Sequence, residues 1–319
     1  MYKGYITDIK GIKVGHSSSQ EGMTGCTTII CEEGATAGVD VRGSAPGTRE
    51  TDLLSSKKMM EKIHGIVLSG GSAFGLEAAS GVMRYLEEQG IGFDVGVTKV
   101  PIVPSAVIFD LNIGNSRIRP DFDMGYTAAK SASTKEGRQG NIGCGMGATV
   151  GKILGPDKAM KSGLGSATIV IGDLKVSAIV AVNSFGDIYN YKTNKQIAGA
   201  YDYKDKELLN TYDLIKNEGN KLQPYVENTT IGIIGTNAIV TKPEANKLAE
   251  MAHNGFARSI NPIHTMADGD TIFAMATNRV KGDLNLIGTV AAEVMSQAIT
   301  NAIYLAEGVE ELYSYRDIN

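Results

Sequence analysis

Cysteine, histidine and net charge are all scarce in this chain of 319 residues, and each shortage removes a class of function. The three cysteines, Cys26, Cys31 and Cys144, are odd in number and show no CxxC spacing. The four histidines, His16, His64, His253 and His264, form no HxxxH or HExxH pair. Neither set has the spacing of a zinc site, so the cysteines read as small hydrophobes in a reducing compartment. A net charge of −4 provides no basic field for nucleic acid phosphates. No apolar run reaches the length of a membrane span. The opening Met1-Tyr2-Lys3-Gly4-Tyr5 lacks the apolar stretch of a secretion signal. The expectation is a cytoplasmic protein with no nucleic acid or membrane partner.

Glycine, by contrast, is abundant: 39 residues, well above the usual ~7%. Many tight turns and close backbone approaches are implied. With 42% hydrophobic and 21% charged residues the chain can bury a sizeable core without staples. No low-complexity linker and no repeat of 20–50 residues divides it, so a single domain over 1–319 is expected.

Hydrophobic patterning places strands at residues 26–31, 36–41, 64–69, 106–111, 167–172, 176–183, 230–235 and 271–277. Helices are expected at 53–63, 73–89, 123–133, 243–258 and 283–306. Pro243 suits the first turn of its helix. Residues 190–227 are polar and aperiodic, which predicts a long exposed loop. Several strands are sequential and hairpin-like, with helices between or after them. That order favours a layered α/β or α+β arrangement with mixed or antiparallel sheets over a regular βαβ array.

Two glycine-rich motifs fail on inspection. The run GCGMGATVGK (143–152) has Met146 where a P-loop needs glycine and Ile153 where it needs Ser or Thr. As GxGxxA it lacks a preceding strand, because 133–139 is polar. Ser72 follows a strand and precedes a helix, the setting of a nucleophile elbow, but Phe74 replaces the required glycine. A Ser72 hydrolase would need His253 or His264 as its base. The competing reading makes Gly70-Gly71 a sharp turn and Ser72 a helix N-cap.

The junction at Asn228-Thr229-Thr230 closes the polar segment and opens an apolar strand. A hydroxyl nucleophile needs a base, and its own α-amino group serves if the chain is cut just before it. With a pKa near ~7.7–8.0, a useful fraction of such an amine is neutral at physiological pH. Thr229 is therefore a candidate nucleophile, against the plain alternative of a strand start.

The chain resembles the DmpA-type peptidases, the group of L-aminopeptidase/D-esterases, β-aminopeptidases and nylon-oligomer hydrolases. The stretches that carry the resemblance are Gly15-His16, Gly25-Cys26-Thr27-Thr28, residues 39–50 (VDVRGSAPGTRE), residues 68–76 (LSGGSAFGL), residues 107–111 (VIFDL) and residues 147–152 (GATVGK). The resemblance implies an αββα sandwich, similar to N-terminal nucleophile hydrolases but differently connected. It implies self-cleavage between Asn228 and Thr229 into a large subunit, 1–228, and a small one, 229–319. It further implies an amide hydrolase that forms an acyl-enzyme, needs no metal or organic cofactor, acts on small peptides or related amides, and assembles as a homo-oligomer, a tetramer of processed protomers.

Residue by residue, the resemblance gives Asn183 an oxyanion-holding role, Lys152 an electrostatic one, and Asp268 and Asp270 the task of orienting Thr229. The combination of Thr229, Asp268 and Asp270 is closer to the nylon-oligomer hydrolase branch than to aminopeptidases with serine. Phe109 stands where the family carries a site tyrosine, and has no hydroxyl to donate. Alongside an aminopeptidase-like enzyme, an endo-type amidase and a non-catalytic small-molecule binder remain open at this point.

Overall fold

A computed structural model describes residues 1–219 and 228–319. Nine strands form one mixed, bent sheet system: β1 (Lys13–Ser19), β2 (Thr24–Val41), β3 (Thr48–Arg49), β4 (Lys62–Ser69), β5 (Ser105–Val107), β6 (Leu164–Ile171), β7 (Leu174–Ala181), β8 (Ile231–Ala238) and β9 (Thr271–Val280). Their order is β6-β7-β8-β9-β2-β4-β5-β3, with β1 also paired to β2. The pairs β8/β9 and β4/β5 are parallel; the rest are antiparallel.

Strand β2 joins two sheets. The two short strands expected at 26–31 and 36–41 are one strand of 18 residues. Its register against β4 slips between Ile30 and Ala35, near Gly34, whose φ of 76° lies in the left-handed region. The first half pairs with β1 and β4; the second half pairs with β9. Such an irregularity bends a strand and increases its twist, which lets the sheet fold over itself.

Side-chain alternation then sorts the residues into layers. From β8, Ile231 and Ile233 enter an inner apolar layer between the sheets, while Ile234 faces outward. From β9, Phe273 and Met275 point inward, while Ile272, Ala274 and Ala276 point outward. The outward residues of this sheet are covered by α4 (Lys242–Ser259) and α5 (Leu284–Leu305). On the other sheet, Cys26, Ile30 and Val67 face α1 (Ala78–Glu88) and α2 (Phe122–Lys130). The result is the expected αββα order. All three cysteines are free and buried in these apolar layers.

The helices end where their sequences require. Thr241 caps α4 in a capping box with Glu244, and Pro243 sits in the first turn. Asp283 caps α5 by accepting from the Leu286 N–H. By length and composition α5 could cross a bilayer, but 83% of its apolar window is buried inside the fold, where it covers the sheet.

Some expectations need correction. The helix at 53–63 is a single 3-10 turn, Asp52–Leu54, because the chain must already be extended in β4 from Lys62. Of residues 73–89, the first part is a 3-10 helix, Ser72–Glu77, and only the remainder is α1. The strand expected at 106–111 is confined to Ser105–Val107. Residues 190–219 are not a loop: they hold short strands and a helix, α3 (Thr211–Glu218), with Ile197, Ala198, Ala200 and Tyr201 buried. The remaining stretch of that expected loop, 220–227, lies outside the described residues.

Phe273 is fully buried in the inner layer. Phe273→Ala should cost about 3–5 kcal/mol of unfolding free energy, the range for emptying an aromatic core position. Denaturant titration checks this; a loss below about 1 kcal/mol would mean the two sheets can collapse onto the void.

Candidate active site

Strand register assembles the site. Parallel β8 and β9 pair Ile231 with Thr271, which brings the residues just before each strand, Thr229–Thr230 and Asp268–Asp270, to the same end of the sheet. On the other side, antiparallel β7 pairs Ala181 with Ile231, so Asn183 arrives opposite Thr229. The backbone confirms the meeting: the Thr229 N–H donates to the Asn183 carbonyl at 2.9 Å. Asn228 also bridges to Asp268 in parallel fashion.

The carbonyl oxygen of the peptide between Asn228 and Thr229 accepts two hydrogen bonds. The Thr229 hydroxyl donates to the Asn228 carbonyl oxygen at 2.5 Å, and the Gly269 N–H donates to that same oxygen at 3.0 Å. The Asn228 carbonyl oxygen is thus polarised by a fixed backbone donor and by the neighbouring hydroxyl together. Gly269, expected to give the Asp268-Gly269-Asp270 turn its bend, also leaves no room for a side chain. A Cβ there would lie 2.8 Å from the Thr229 Oγ1 and 2.6 Å from the Ala45 carbonyl oxygen. The missing side chain is thus also a clearance for the Thr229 hydroxyl.

The two carboxylates take different duties. Asp270 accepts the Thr230 N–H on Oδ1 at 2.8 Å, and on Oδ2 the backbone N–H and ring Nδ1 of His264 at 3.2 and 2.9 Å. Asp268 accepts from the Thr265 N–H and hydroxyl on Oδ2; its Oδ1 is buried with no hydrogen-bond partner among the described residues. Burial first, and the neighbouring Asp270 second, push the Asp268 carboxyl up to about 6. A buried, under-satisfied carboxylate beside a second one marks a functional site.

Lys152 is buried at the end of the glycine loop, where Gly151 adopts a φ of 73°. Its Nζ donates to the Asn183 Oδ1 at 2.8 Å and to the Asn183 carbonyl at 3.2 Å. The Asn183 side-chain amide, expected to face an oxyanion, donates here to the Phe109 carbonyl at 3.0 Å. The backbone donor on the Asn228 carbonyl is therefore Gly269, and Asn183 links Lys152, Thr149 and Phe109. Phe109 offers only its ring and backbone, as its sequence position implied.

A cleft of about 320 Å³ opens above this cluster, with Asn228 and Thr229 in its lining. Thr229 is 6% exposed and so lies at the cleft floor. Ser72 lines the same cleft, but no histidine does so among the described residues. Gly71, not Ser72, is the cap of the following 3-10 helix, and both carry positive φ. The Ser72 N-cap reading is therefore corrected, and the elbow-like turn has no histidine beside it in the cleft among the described residues. His264, noticed in sequence only as a possible partner for Ser72, instead supports Asp270. No spacing rule joins it to Thr229; its left-handed backbone and the packing of its ring on His253, 4.8 Å between centroids, put it there.

Peptidase family S58 matches residues 4–314. The chain belongs to that family. A Mycobacterium leprae protein named an uncharacterized aminopeptidase is 34% identical, over 97% of this chain and 92% of its own. A 6-aminohexanoate-oligomer endohydrolase of Kocuria is 33% identical, over 92% of this chain and 84% of its own. Among solved structures, the L-aminopeptidase D-Ala-esterase/amidase of Ochrobactrum anthropi, described as a variant of the N-terminal nucleophile hydrolase fold, superposes with a TM-score of 0.73. It is 16% identical, over 98% of this chain and 90% of its own. A Burkholderia β-aminopeptidase gives 0.67 at 19% identity, over 96% and 88%. The protein is accordingly a hydrolase of peptide or amide bonds.

Two outcomes follow from the carboxylate geometry. Asp268 has an ordinary pKa near 3.8 and is raised to about 6, so the folded chain binds the extra proton between those values. Its contribution to stability is full below pH 4 and lost as pH rises through 6. Asp268→Asn should therefore melt progressively higher than the parent from pH 4 to pH 7, while turnover drops at least ~10². A melting difference that is flat across this range would contradict the account. His264→Ala should lower amide turnover about 10- to 100-fold, the worth of a hydrogen bond to a carboxylate, with His264→Asn recovering part. Paired kinetics and melts distinguish this from simple unfolding.

Proposed function

We propose that this protein is a self-processing N-terminal-threonine amide hydrolase. The observation that carries the reading is the doubly engaged Asn228 carbonyl, whose oxygen accepts from both the Thr229 hydroxyl and the Gly269 N–H. In maturation the Thr229 Oγ1 attacks the Asn228 carbonyl carbon, and the C–N bond to the Thr229 nitrogen breaks. An ester links the two residues and the amine is free. Water hydrolyses that ester, leaves Asn228 as a carboxylate and returns the hydroxyl. The products are chains 1–228 and 229–319, held together as one domain because β8 and β9 remain paired in the sheet to β7 and β2.

The new Thr229 amine lies where its N–H met the Asn183 carbonyl. Directly or through water it takes the hydroxyl proton as Oγ1 attacks a substrate amide. The amine of the substrate leaves, and water releases the acyl group. Backbone N–H groups, with Asn183 once it is released from Phe109, stabilise the tetrahedral oxyanion. Asp270 fixes the backbone at Thr230, Asp268 orients the Thr229 amine or hydroxyl, and Lys152 sets the local charge through Asn183. The resemblance adds a cytoplasmic setting and a homo-oligomer, a tetramer of processed protomers, to the same reading.

N-terminal sequencing of a mature preparation should give Thr-Thr-Ile-Gly beside the original N-terminus. Thr229→Ala should abolish both cleavage and hydrolysis, Thr229→Ser should keep part of each, and Thr230→Ala should be mild. A fully active chain that stays uncut would refute the proposal, and a dead Thr230→Ala beside a normal Thr229→Ala would move the nucleophile by one residue.

A further inference from the structure

The turn that carries Ser72 is held in a conformation that serine rarely adopts. Gly71 has a φ of 79° and Ser72 a φ of 53°, both in the left-handed region, where a serine is strained. Buried Asp110 keeps the turn there. Its Oδ1 accepts the Gly71 N–H at 2.7 Å, and its Oδ2 accepts the Thr24 hydroxyl at 2.7 Å. The Ser72 N–H donates to the Ile108 carbonyl at 3.0 Å. Ser72 lines the cleft above Thr229, and its hydroxyl makes no hydrogen bond among the described residues. A strained turn, pinned by a buried carboxylate, thus places an unused hydroxyl in the cleft wall.

The bonds around Thr229 indicate what that hydroxyl would meet. In the intact chain both sides of the Asn228–Thr229 amide have partners: the Gly269 N–H on its oxygen, and the Asn183 carbonyl for its N–H. That N–H belongs to Thr229. After cleavage the same nitrogen is the free amine and keeps the Asn183 carbonyl. A substrate amide at the Thr229 Oγ1 can therefore use Gly269 for its oxygen but finds the Asn183 carbonyl taken. Its own N–H needs another acceptor, because a donor buried without one is costly. Of the cleft-lining side chains, only those of Ser72, Asn228 and Thr229 carry an oxygen. Thr229 is the nucleophile. Asn228 stands in the acyl position, which the substrate must take over, so its new carboxylate has to give way before turnover. Ser72 remains.

We infer that the Ser72 hydroxyl accepts the N–H of the substrate's scissile amide. It thereby raises the turnover of an amide relative to an ester with the same acyl group. No bond to Ser72 forms or breaks. This rests on the Thr229 amide hydrolase reading and gives that site a further substrate-binding residue. Maturation has the Asn183 carbonyl for the corresponding N–H and does not call on Ser72.

The test uses the mature protein with butanoyl 4-nitroanilide and 4-nitrophenyl butanoate, which share an acyl group and differ in N–H against O at the scissile bond. Ser72→Ala removes the hydroxyl. Ser72→Gly removes it as well, and its backbone accepts the left-handed region without strain. Both variants should still release the fragment that begins at Thr229. Both should lower the amide-to-ester ratio of kcat/KM about tenfold, the size of one hydrogen bond to a neutral N–H. A merely structural role would lower both substrates alike and leave the ratio where it was. An unchanged ratio in either variant would overturn the inference and leave the hydrolase reading standing; the acceptor would then be a wall carbonyl or the Asn228 carboxylate. A Ser72→Gly chain that melts like the parent but fails to mature would overturn it too. A parent chain that stays uncut and hydrolyses neither substrate would refute the Thr229 reading, and the inference would fall with it.

Discussion

Everything at this site depends on the register between two parallel strands. Pairing Ile231 with Thr271 sets Thr229 beside Gly269 and Thr230 beside Asp270, and the antiparallel neighbour brings Asn183 to the other side. A slip of one residue would turn every side chain of β8 to the opposite face. The inner layer resists that slip, because Ile231, Ile233, Phe273 and Met275 all interdigitate between the sheets. The apolar core and the reactive centre are thus specified by the same alternation.

Chemistry at the strand ends is costly to hold in place. Two buried carboxylates stand side by side, one with an oxygen that has no partner among the described residues, and a buried lysine lies across Asn183 from Thr229. Left to stability alone, Asp268 would be neutral or apolar. Gly43 and Gly269 let the chain segments cross closely enough for backbone groups to do the rest. A Cβ at Gly43 would lie 2.2 Å from the Asp270 nitrogen, so the Arg42-Gly43-Ser44-Ala45 segment can hydrogen-bond to Asp268 and Asp270 only without one.

Much of this was legible in the sequence, unevenly. Strands such as 231–238 and 271–280 announce themselves by short apolar runs, and α4 by its capping residues and proline. Thr229, Asn183, Lys152, Asp268 and Asp270 were all singled out, and the structure brings them to one place. Local patterns failed where long-range geometry decides. The bend in β2 joined two expected strands; the stretch at 53–63 lost its helix to the start of β4; and 190–219 folds because Ile197 and Tyr201 find the apolar layer beneath α5. His264 carried no recognisable motif, and the Asp-Gly-Asp turn announced a bend at Gly269 but not its hydrogen bond to Asn228. Gly269 acts through an absent side chain and a backbone N–H, His264 through a positive φ and a ring set edge-on against a residue from α4.

The central claim is that a substrate acyl group passes through an ester on Thr229. Rapid acid quench of the mature protein with a slow ester substrate, followed by intact mass measurement of the separated chains, tests it directly. The account predicts one acyl adduct, confined to the chain beginning at Thr229 and absent in Thr229→Ala. An adduct on the chain 1–228, at Ser72 for example, would contradict it, as would steady turnover with no adduct on either chain.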